Sequence, residues 1–159
     1  MNAEMGRHGI APHLMNCLAV AICLCVPSGA SAHHSHPLFY DWCTTLTIDG
    51  QVTRIEWKNP HSMIDVATPD GTTYHVEWMS AQNLARQFDG SAPAVLTIGE
   101  HVVVLAHPMR DAAEIRASFP DWKGSTTPNL VDPSQIRRVD NTFTWPPQAA
   151  GPPPNCSAK

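Results

Sequence analysis

The chain is short of charge, of basic residues and of long apolar runs, and each shortage excludes something. Only 15% of its 159 residues are charged, well under the usual quarter. Ten lysines and arginines stand against 14 acidic residues, a formal net charge of -4. A nucleic-acid binder carries the opposite balance. No apolar run reaches the roughly 20 residues of a membrane span. The sequence has no Gly-x-Ser-x-Gly elbow, phosphate loop or dinucleotide fingerprint. Asp65 and Glu77 are single carboxylates with no paired partner in the sequence. What is left is one modest globular domain that binds rather than catalyses.

What is present begins with an address. Arg7 and the free amine precede an apolar stretch from Leu14 to Val26, then Pro27-Ser28-Gly29 and a small-residue ending, Ala30-Ser31-Ala32. A positive start, a short apolar core, a breaker and an A-x-A end make a secretory signal peptide. Residues 1–32 are therefore read as a cleaved signal, and a periplasmic or secreted location is expected. Of five cysteines, Cys17, Cys23 and Cys25 leave with the signal. Cys43 and Cys156 remain, and an oxidising compartment predicts a disulfide between them.

The rest reads as one domain over 33–145 with a proline-rich tail over 146–159. Thr44 to Trp57 alternates like a strand, but its phase slips after Gly50, which predicts a bent or bulged strand. Asn59-Pro60-His61 ends it. Met63 to Thr68 is a second strand, Pro69-Asp70-Gly71 a hairpin turn and Thr72 to Met79 a third. Ser80 caps a helix with Ala81, Leu84, Ala85 and Phe88 on one stripe. Val102 to Leu105 is a buried strand. Pro108 to Pro133 reads as a long loop insertion, and Gln135 to Trp145 as the last strand. The fold class is mainly β: a small five-stranded OB-like barrel with one helix between strands three and four. An open antiparallel sheet with one packed helix is the alternative.

Four stretches carry a family resemblance: Ala32-His33-His34-Ser35; Gly50-x-Val52 leading to Glu56-Trp57-x-Asn59-Pro60-His61; Glu77-x-x-Ser80 leading to Leu84-x-Arg86; and Gly99-Glu100-x-Val102-x-Val104. Together they resemble the DUF6152 family of small exported bacterial proteins, whose function is uncharacterised. The resemblance covers about residues 32–110. It implies a periplasmic location and a small β-rich domain, and brings no activity. His36 and the 108–133 segment depart from the family pattern.

The histidines are the chemical signal. Seven of nine outlast the signal, and His33, His34 and His36 crowd the expected new N-terminus. Cleavage after Ala32 would let His33 chelate a metal through its amine and its own imidazole. His34, His36 or His61 would add another nitrogen. Cleavage after Ser31 would make His34 the third residue, also a copper(II) arrangement. Copper favours nitrogen ligands in planar geometry and tops the divalent affinity order. The expected metal ligands are thus His33, His34, His36 and His61, and the expected cofactor is copper. A copper oxidase using an N-terminal histidine brace ranks last, since no substrate surface is recognisable. The alternative is a metal-free OB-type module for a small ligand or a periplasmic partner, with Trp57, Asn59 and Glu77 on its face. Glu77 is also placed to accept backbone N–H groups at the start of the helix. His75 is expected to be exposed, and His101 and His107 to be hydrogen-bonded strand ends.

Overall fold

The computed structural model describes residues 36–88, 90, 95–148 and 156. In chain order the elements are α1 (His36–Phe39), β1 (Leu46–Glu56), β2 (Ser62–Ala67), β3 (Thr73–Trp78), α2 (Ala81–Gln87), β4 (His101–Pro108), α3 (Ala112–Ser118), β5 (Leu130–Arg138) and β6 (Thr144–Trp145). The expected signal, residues 1–32, lies outside the described residues, as does most of the tail.

The sheet runs β3-β2-β1-β4-β5-β6, and a parallel pairing of β3 with β5 closes the first five strands into a barrel. Closure removes the open edges that a flat sheet would expose. β1 makes it possible by bending. Its first half, Leu46–Gln51, pairs with β4, and its second half, Gln51–Glu56, pairs with β2. The phase slip in the sequence is a register shift between Val52 and Arg54. Gly50 sits at the bend because nothing larger fits: a Cβ there would lie 2.4 Å from the Ala67 carbonyl oxygen.

Alternation sorts the strands into an inner and an outer face. Ile48, Val52, Ile64, Val66, Val76, Val102, Val104, Val131 and Ile136 face inward and are buried together with Trp78. α2, between β3 and β4, adds Leu84 to this core, with Ala85 and Phe88 packed beside it. Ser80 caps α2, its side chain accepting from the Asn83 N–H at 3.1 Å.

The connection read as an irregular loop over 108–133 is partly regular. α3 begins at a reciprocal capping box, Asp111 with Glu114, and buries Ile115 against the fold. Asp-x-x-Glu ahead of an apolar residue is a helix-start signal that the proline and glycine content of the segment outweighs in a sequence reading. The last long strand starts at Leu130, ahead of the expected Gln135, and ends at Arg138. It carries Pro133 where the β4–β5 register shifts between Leu105 and Ala106, the kind of irregularity that accommodates proline inside a sheet. Among the described residues no helix is long and apolar enough to cross a membrane.

Candidate functional site

The outer face of the barrel across β2, β3 and β5 carries an unusual row of polar side chains. In β2, buried Ser62, Ile64 and Val66 alternate with Met63 and Asp65 on the outside, and His61 precedes them in the same phase. In β3 the outward residues are His75 and Glu77. Antiparallel register sets Met63 opposite Glu77 and Asp65 opposite His75. Parallel register aligns Val76 with Val131, so the next residues, Glu77 and Asp132, are neighbours along the barrel wall.

Residues 36–44 cross this face as a strap. The strap is fixed by backbone bonds from the Asp41 N–H to the Pro108 carbonyl at 2.9 Å and from the Arg110 N–H to the Phe39 carbonyl at 2.8 Å. Tyr40, bridged to Met109, is only 3% exposed. Trp42 stacks on His107 with ring centroids 5.7 Å apart. His107, itself 5% exposed, meets the Thr44 carbonyl through Nδ1 at 2.9 Å. A disulfide joins Cys43 of the strap to Cys156, with Cα atoms 5.3 Å apart, the pairing expected from the sequence.

The strap delivers His36 and Tyr40 to the polar row. Tyr40 donates its phenolic hydrogen to Glu77 Oε2. Burial, then this bond, pushes the phenol far above its usual value, so it stays a donor at any physiological pH. His61 Nδ1 lies 3.5 Å from the other Glu77 oxygen. His36 Nδ1 lies 3.2 Å from Asp132 Oδ2. Its pKa is raised, chiefly by that contact, against the opposing effect of burial. The His36 ring stacks on Tyr40 at 5.7 Å and meets the His61 ring at 5.5 Å. Five side chains from four parts of the chain thus converge: His36, Tyr40, His61, Glu77 and Asp132.

This arrangement has recognisable chemistry. An imidazole that ligates a metal at about 2.0 Å places its ring centre roughly 3 Å from the ion. Two ligating rings can then have centres up to roughly 6 Å apart, and the observed 5.5 Å falls inside that span. His36 Nδ1 faces Asp132, the kind of partner that in metal sites fixes the Nδ1–H tautomer and leaves Nε2 as the ligating nitrogen; His61 Nδ1 stands near Glu77 without a hydrogen bond to it. Among the described residues, no three His, Cys, Asp or Glu side chains are already grouped to hold a metal ion.

Of the four expected ligands, His36 and His61 are brought together, while His33 and His34 lie outside the described residues. Glu77 belongs to the cluster, but its partners are Tyr40 and His61 rather than the helix N–H groups expected for it. β3 alternation turns its side chain outward toward the strap. Trp57 packs on Trp78 at 6.1 Å as a partly buried flank of the core. Asn59 accepts the Gln82 N–H at 3.3 Å, tying its loop to α2. His75 is paired with Asp65 at 2.7 Å and His101 with Asp49 at 2.5 Å. An open depression of about 520 Å³ lined by Glu100, His101, Arg138 and Asp140 contains none of the cluster. Tyr40 and Asp132 escape a sequence reading. Asp132 falls inside the segment taken as a loop, so its strand register with Glu77 is hidden.

A family model for a family of unknown function, DUF6152, matches residues 20–116. The chain belongs to the DUF6152 family. No curated protein and no solved structure matches it. The DUF6152 match takes in the strap, His61 and Glu77 but ends before Asp132 and Cys156. The carboxylate behind His36 and the disulfide partner of Cys43 therefore lie beyond the matched region.

Proposed function

We propose that this DUF6152 protein is an exported small β-barrel protein that binds a transition metal, copper first, with His36 and His61 as ligands. One observation carries the reading: two imidazoles from distant parts of the sequence meet with ring centres 5.5 Å apart, each with Nδ1 facing a carboxylate. A ligating histidine almost always has such a partner; His75 and His101 also pair with carboxylates, so it is the meeting of the two rings that sets His36 and His61 apart. His33 and His34 stay in the proposal as further nitrogen donors on sequence grounds, three and two residues before His36. Export is supported by the signal-like N-terminus and by the Cys43–Cys156 bond, which suits an oxidising compartment.

The test is calorimetric titration of Cu(II) into the protein as processed by an exporting bacterial host. His36→Ala and His61→Ala should each weaken binding by at least about tenfold. Blocking the N-terminal amine should weaken it further if His33 comes first. Affinity no better than that of a histidine-poor control would overturn the proposal and leave a metal-free binding module.

A further inference from the structure

Two imidazoles leave a copper ion short of ligands, and the polar row holds one more donor, of a different kind. Met63 sits directly opposite Glu77 in the β2–β3 register and two residues beyond His61, on the outward phase of β2. Directly opposed side chains on a sheet face have Cβ atoms about 4.5–5.5 Å apart. Glu77 is the residue beside which His61 lies, at 3.5 Å. Met63 and His61 therefore flank the same carboxylate, on the same face.

Met79 is packed against the barrel core, together with Trp57 and Tyr74. Met63 is half-buried on the outward phase of β2, opposite Glu77 in one register and Glu56 in the other, in a row whose other members are His61, Asp65, His75 and Glu77. A lone thioether among imidazoles and carboxylates contributes little as a core filler, but it is a soft ligand on a flexible, unbranched side chain. Thioethers select copper(I), while imidazole serves either oxidation state of copper.

Building on the copper reading above, we infer that Met63 is a third ligand and that the site holds copper(I) through two imidazoles and one thioether. The carboxylates do not ligate; Asp132 orients the His36 ring, and Glu77 stands beside His61 and Met63. Tyr40, hydrogen-bonded to Glu77, is a positioning residue.

The experiment is an anaerobic competition for Cu(I) against a chromophoric Cu(I) chelator, run on the wild type and on Met63→Leu, a near-isosteric swap that cores and surfaces tolerate well. Met63→Leu should weaken Cu(I) binding by about tenfold or more and Cu(II) binding much less, with the urea midpoint close to the wild-type value. Copper-edge X-ray absorption of the Cu(I)-loaded wild type should show a sulfur neighbour, which removes dependence on the variant's folding. Unchanged Cu(I) affinity in Met63→Leu, equal loss of Cu(I) and Cu(II), or a copper edge without sulfur would overturn the inference. His36→Ala and His61→Ala, titrated with Cu(II), separate the two levels. If they lose Cu(II) and Met63→Leu changes nothing, only the thioether ligand falls. If they keep Cu(II), the underlying copper reading falls.

Discussion

At the scale of single residues, the cluster is held by carboxylates that are already partnered. Tyr40 is buried and donates to Glu77, a bond between a neutral donor and a charged acceptor. Such bonds contribute about 1.5–3 kcal/mol. Tyr40→Phe is predicted to lower unfolding stability by an amount in that range in urea melts, and to weaken copper binding less than His61→Ala does. Stability equal to the wild type would mean that the bond is dispensable. His36 gives a pH-dependent prediction for the metal-free protein. The Asp132 contact raises its pKa above the ordinary histidine value of 6.5. A raised basic pKa adds stability that is fully present below the unfolded value and is lost as pH rises through the folded value. The stability gap between wild type and Asp132→Asn should therefore be wide near pH 5.5 and narrow near pH 8.5. A gap that widens with rising pH would contradict the assignment.

At the scale of elements, β1 decides whether the barrel closes. It serves two neighbouring strands by bending at Gly50, where any Cβ would run into the Ala67 carbonyl. Overpacking of this kind costs typically about 1–3 kcal/mol. Gly50→Ala is predicted to sit at the top of that range by thermal or urea unfolding, because the obstructing atom is backbone. Much of this architecture is legible in the sequence. The glycine, the slip in alternation after it, the Pro69-Asp70-Gly71 turn and the Ser80 cap each act locally, so their neighbours in sequence reveal them. The strap and the site are less legible. Two of the four expected ligands, His36 and His61, are found together, but their carboxylates come from strand registers that only barrel closure sets. Tyr40 reads as one of several aromatics in a short segment, and Asp132 sits beside a proline that disguises its strand. The capping box at Asp111 is the one local clue in that stretch: it marks the start of α3 and so limits how much of 108–133 is loop.

At the scale of the whole molecule, a bond from the strap ahead of β1 to the chain beyond β6 complements the barrel. Cys43 and Cys156 are 113 residues apart. A cross-link closing so long a loop restricts the unfolded chain and is worth about 2–5 kcal/mol. Cys156→Ser should lose stability in that range when compared with the oxidised wild type, and reduction of the wild type should produce the same loss. Because Cys43 lies in the strap that carries His36 and Tyr40, this bond links the global stability of the chain to the segment that completes the cluster. The proposed copper site requires His36 and His61 to serve one ion. A double-mutant cycle on Cu(II) affinity with His36→Ala, His61→Ala and the double variant tests that most directly. Shared ligation predicts strong coupling: either single change removes most of the affinity, and the second adds little. Losses that simply add, or no loss in any of the three variants, would contradict it.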